Sequence, residues 1–62
     1  MNCYIILYDE MGQRVEIDLI GPPSLKNGDI IFHEDLRYEV RKRHYYTSDG
    51  NLYIRAFKTI NS

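Results

Sequence analysis

The 62 residues form one small domain, residues 1–62, and a chain of that size buries only about 60% of the surface it exposes when unfolded, so most large apolar side chains must serve the core. The single cysteine, Cys3, excludes an intramolecular disulfide and the cysteine-rich zinc frameworks, which fits a reduced, cytoplasmic setting better than a secreted one. Apolar runs stay well below the roughly 20 residues that span a bilayer, and the N-terminus lacks the basic segment of a signal peptide, so the chain reads as soluble, made at its working length and without a membrane role.

A net charge of −1 conceals an asymmetry. Residues 1–36 hold Arg14 and Lys26 against seven acids, 2 − 7 = −5, whereas residues 37–62 hold six cations against Glu39 and Asp49, 6 − 2 = +4. Electrically the chain is a dipole whose C-terminal half favours an acidic partner.

In chain order, the first apolar stretch is CYIILY, Cys3 to Tyr8, rich in aromatic and β-branched residues as strands are. The segment Arg14 to Ile20, RVEIDLI, alternates strictly, with Val15, Ile17 and Leu19 on one side and Arg14, Glu16 and Asp18 on the other. Between them, a three-residue loop of Glu10, Met11 and Gly12, with Gly12 left-handed, sets Asp9 opposite Gln13. Continued without interruption, that register pairs Leu7 with Val15, Ile5 with Ile17 and Cys3 with Leu19 on one buried face.

The connection GPPSLKNG follows, extended at Pro22 and Pro23 and turning at Asn27-Gly28. Three more strands are predicted around DIIF (29–32), YEVRKRHYY (38–46) and LYIRAFKTI (52–60). A loop of Ser48, Asp49 and Gly50 places Tyr38, Val40 and Tyr46 on the core face with Leu52, Ile54, Ala56 and Ile60. A two-residue loop would instead turn Arg41 and Arg43 inward, at the cost of burying unpaired charge. Lys42 and His44 fit the chosen register only if the hairpin projects past the core or a bulge re-aims them.

The entry Gly28, Asp29, Ile30, Ile31, followed by Tyr38-x-Val40, resembles the middle of small SH3-like barrels. That resemblance implies an all-β fold, a five-stranded, strongly bent antiparallel sheet closing into a small SH3-like barrel, and it carries no functional residues with it.

The outer face of the last hairpin is the main candidate site, with Arg41, Arg43 and Arg55 as charge and Tyr45, Tyr53 and Phe57 as rigid contact area. Arg and Tyr dominate protein hot spots, so the leading expectation is a non-enzymatic binding module for another protein, copies of itself included. The same residues would also suit nucleic acid, where about four phosphate contacts on a single strand give a log–log salt slope near −3. A third reading is a small accessory or assembly protein of a phage or mobile element, and the bland one is a solvated sheet face stabilised by cross-strand pairs. Tyr4, Ile6 and Tyr8 face away from Ile5 and Leu7, forming either an oligomer seam or a patch covered by curvature or the Pro22-Pro23 loop.

Asp9-Glu10 and Glu34-Asp35 read as turn residues and Asp29 as a backbone-bonding residue at a strand start. His33, His44 and Cys3 match no metal-ligand spacing, and Cys3 reads as a small buried hydrophobe. No Ser-His-Asp set, P-loop or Gly-rich phosphate cradle is present, so neither an enzyme nor a cofactor is expected.

Overall fold

A computed structural model describes residues 2–59. Five strands form: β1 (Cys3–Tyr8), β2 (Arg14–Ile20), β3 (Ile30–His33), β4 (Leu36–Tyr46) and β5 (Asn51–Lys58). They make one all-β sheet in the order β2-β1-β5-β4-β3, curled into a half-barrel with β2 and β3 as its edges. The sheet is mixed, because β1 and β5 run parallel while every other pair is antiparallel. β1 therefore sits inside the sheet with neighbours on both sides, the setting in which near-continuous apolar strands occur.

On the concave face Cys3, Ile5 and Leu7 of β1 lie level with Leu52, Ile54 and Ala56 of β5, and Tyr38 and Val40 of β4 complete the core. All eight are buried, as expected of these residues. Ile60, assigned to the same face, lies outside the described residues.

The connection from Gly21 to Asp29 runs across this concave face as a strap. Leu25 packs on the core, the Cys3 thiol lies 3.7 Å from the Pro22 carbonyl, and Arg43 Nη2 donates to the Pro23 carbonyl at 2.9 Å. A Cβ at Gly21 would collide with Ile5 Cδ1, so the strap enters by an approach that only glycine allows. At its far end Asp29 Oδ2 accepts the Lys26 N–H at 2.8 Å, the role expected of it. Gly28 N–H and Asp29 C=O then both bond Val40, starting the β3–β4 ladder.

The first loop forms as its sequence dictates. Gly12 has φ +82°, Asp9 and Gln13 face each other through a 2.9 Å backbone bond, and Asp9 Oδ1 accepts the Met11 and Gln13 N–H groups. The uninterrupted register does not hold beyond it. Tyr8 pairs with Arg14, but irregularities on either side of Leu7 shift the ladder until Ile5 meets Leu19. Only Leu19 of the three alternating apolar residues packs on the core; Val15 and Ile17 remain 47% and 50% exposed. An edge strand can carry such bulges because its outer side has no second ladder to disrupt.

The second hairpin departs from expectation in a compensated way. Its loop has four residues, Thr47 to Gly50, with Tyr46 paired to Asn51 and Gly50 at φ +71°. This extra loop residue turns Arg43 and Tyr45 to the side of Ile54 and Leu52, and Lys42 and Tyr46 to the other side. A bulge at Arg41, between Val40 and Lys42, then restores Val40 to Ala56 and Glu39 to Phe57.

Candidate binding face

The convex face is assembled from three adjacent strands. Parallel pairing sets Tyr4 beside Tyr53, Ile6 beside Arg55 and Tyr8 beside Phe57. Antiparallel pairing then adds Lys42 opposite Arg55, His44 opposite Tyr53 and Tyr46 opposite Asn51.

Two groups of rings result. Tyr8 and Phe57 stack with centroids 4.7 Å apart and planes 15° from parallel. Tyr4 stacks on Tyr53 at 5.5 Å, Tyr53 meets Tyr46 edge-on at 5.2 Å, and Tyr46 meets His44 at 4.3 Å. Such contacts add about 0.5–1.5 kcal/mol each beyond area burial. Between the groups, Arg55 Nε donates to the Tyr8 hydroxyl at 3.1 Å, and that bond holds the guanidinium above its ordinary pKa. Partial burial pushes the Tyr53 phenol up, opposed by its bond with Asn51 and reinforced by the Asp49 carboxylate.

The residues singled out in the sequence divide among three locations. Tyr53, Arg55 and Phe57 lie on the convex face as expected. Arg43 and Tyr45 do not join them: the four-residue loop places both on the concave side, Arg43 tied to the strap and Tyr45 exposed at the hairpin tip. Arg41 sits in the bulge with Nε 3.6 Å from Glu39 Oε1.

Tyr4, Ile6 and Tyr8 do face outward, but Ile6 is only 6% exposed and the rings of β5 stack on both tyrosines. Their cover comes from β5, while the Pro22-Pro23 loop lies over the opposite face. Lys42, His44 and Tyr46 were missed as partners of Tyr53 and Arg55. The matched spacing of Tyr4-x-Ile6-x-Tyr8 and Tyr53-x-Arg55-x-Phe57 was the available signal that these two strands lie side by side.

The positive half of the chain is consequently not one surface. Lys58 Nζ lies 3.4 Å from Glu10 Oε2, Arg41 is paired with Glu39, and Arg43 points to the strap. Lys42 and Arg55 are the cations that register sets side by side on the convex face. Cys3 is buried, and that burial raises its thiol pKa against the opposing charge of Arg43. Among the described residues no helix is long and apolar enough to cross a membrane.

No protein-family model, curated protein or solved structure matches the chain.

Proposed function

We propose that this half-barrel is a non-enzymatic protein-binding module of the small SH3-like type, working through its convex aromatic face. The contact residues are Tyr46, Tyr53, Phe57 and Tyr8, with Lys42 and Arg55 receiving carboxylates of an acidic partner. One observation carries the reading: the rings stack on one another across the strands, Tyr8 on Phe57 at 4.7 Å and Tyr4 on Tyr53 at 5.5 Å. Mutual stacking occupies one face of each of these four rings. Protein partners use such rigid amphipathic rings as anchors, whereas single-stranded nucleic acid needs free ring faces on which bases stack. The dispersal of Arg41, Arg43 and Lys58 into other contacts weakens the nucleic-acid alternative further, because phosphate binding gains from cations gathered along one track.

Affinity capture from a lysate of the source organism tests the proposal with three baits: wild type, Lys42→Glu/Tyr46→Ala, and Arg43→Ala as a concave-side control. A protein retained by wild type and Arg43→Ala and lost from the double variant supports it. Equal capture by all three overturns it, as does binding of a labelled oligonucleotide at low salt with a log–log slope of about −3.

A further inference from the structure

We infer that β3 is a self-association edge, through which two copies of this chain pair antiparallel about Ile31 to make a continuous ten-stranded sheet. β3 ends the sheet, and the two-residue turn at Glu34-Asp35 makes His33 and Leu36 its hydrogen-bonded closing pair. Alternation then directs the N–H and C=O groups of Ile31 and the carbonyl of Asp29 toward β4. The 2.8 Å bond from Val40 N–H to the Asp29 carbonyl obeys this parity. The backbone groups of Ile30 and Phe32 therefore point away from the sheet, an unpaired row of the kind that templates another strand.

The side chains specify what fits that row. Ile30 and Phe32 lie on the convex side, 37% and 72% exposed. With two copies centred on Ile31, Ile30 of each faces the second copy's Phe32, and these are the residues whose backbone groups point outward. Four backbone hydrogen bonds and two apolar cross-strand pairs form together. The same register sets Asp29 opposite the second copy's His33, and it brings the turn bearing Lys26 beside the second copy's Glu34-Asp35 turn, a cation against two carboxylates. A one-residue shift would match outward backbone groups to inward ones, and a two-residue shift would break both Ile30–Phe32 pairs, so this register is favoured.

The other edge differs. β2 is broken by two irregularities and its sequence carries the acids Glu16 and Asp18; bulges and charge are both features that keep an edge strand from pairing. Self-pairing is thus favoured at one edge and opposed at the other, which yields a closed dimer and no fibre.

A four-residue strand buries less than the roughly 1,200 Å² of a stable interface, so the dimer forms at high concentration. Sedimentation equilibrium of the whole chain up to about 1 mM should show the average mass rising from 7.4 kDa toward twice that value. Ile30→Lys/Phe32→Lys and Ile30→Glu/Phe32→Glu should each stay monomeric with wild-type circular dichroism, and an equimolar mixture should recover a 1:1 dimer, because positions 30 and 32 oppose each other. Phe32→Pro, which removes the outward-facing N–H together with the ring that meets Ile30 and breaks no bond to β4, should also stay monomeric. A wild-type monomer at 1 mM overturns the inference. So does a dimer that survives either double substitution, or oppositely charged variants that fail to associate when mixed.

Discussion

Arg43 and Pro23 join the tip-side half of β4 to the strap, the guanidinium Nη2 donating to the carbonyl at 2.9 Å. The pairing of Arg43 with Ile54 turns the side chain to the concave side, where it fastens the cover of the core. Arg43→Ala should cost about 0.5–1.5 kcal/mol, the usual net value of such a bond. Lys42→Ala, on the convex side, should leave stability within about 0.5 kcal/mol of wild type. Urea denaturation of both variants checks this, and equal stabilities would contradict the fastening role.

Gly21 enters the strap against Ile5, and an added Cβ would collide with Ile5 Cδ1. Ile5 is buried in the core and has little room to yield, so Gly21→Ala should cost about 1–3 kcal/mol through overpacking. Ile5→Val in the same chain should recover part of that loss by removing the Cδ1 methyl. Two losses that simply add would show that the two positions do not touch.

The core half of this architecture was legible because glycines mark its turns and apolar residues mark its faces. Gly12 fixed the first loop, and Tyr38, Val40, Leu52, Ile54 and Ala56 alternate without ambiguity. The candidate site was less legible because RKRH, residues 41–44, holds no apolar residue to report which way the strand faces. A loop longer by one residue and a bulge of one residue each shift the pairing by one in the same direction, two in all, so the core residues keep their face while the tip inverts. Parallel pairing of β1 with β5 joins strands about 49 residues apart, and only the matched spacing of Tyr4-x-Ile6-x-Tyr8 and Tyr53-x-Arg55-x-Phe57 marks it in the sequence. In β2 the alternation was real, but the bulges of an edge strand decide burial there.

The β3–β4 turn places two ordinary residues in the left-handed region, Glu34 at φ +51° and Asp35 at φ +65°. Asn-Gly is the favoured pair for such a turn, and left-handed geometry costs other residues about 1–2 kcal/mol each. Glu34→Asn/Asp35→Gly should therefore stabilise the chain by about 1 kcal/mol after the added flexibility of glycine is offset. For a domain of this size that corresponds to a rise in Tm of about 4–8 °C. An unchanged or lower Tm in a thermal melt would contradict the strain.

Burial raises the Cys3 thiol above its ordinary pKa of 9.0, and the sign of the stability effect follows. Well below pH 9.0 folded and unfolded chains both keep the proton, and the group adds no slope. Above it the unfolded chain releases the proton first, so stability falls as pH rises until the folded pKa is passed. The Tyr53 phenol, raised from 10.0, adds its own decline only above that value. Between pH 9 and 10, Cys3→Ala should show a flatter stability profile than wild type, and native Cys3 should react with thiol reagents more slowly than the denatured chain. Parallel profiles and equal labelling rates would refute the assignment.

Deleting Arg41 tests the bulge itself. Val40 faces Ala56 and Lys42 faces Arg55, and these two β5 partners are consecutive, so Arg41 is the unmatched residue. Without it Val40 and Lys42 become neighbours, their sides of the sheet are unchanged, and the ladder runs on regularly. The chain should fold with a loss of roughly 1–2 kcal/mol from reduced curvature, and the Tyr46–Tyr53 edge contact should preserve the near-ultraviolet circular dichroism. In an unbulged strand the same deletion would invert residues 42–46, placing Arg43 and Tyr45 beside Tyr53 and Arg55 and removing Tyr46 from the ring cluster. Deletion of Ile54 is the control: β5 has no unmatched residue there, so register is lost and the chain should not fold.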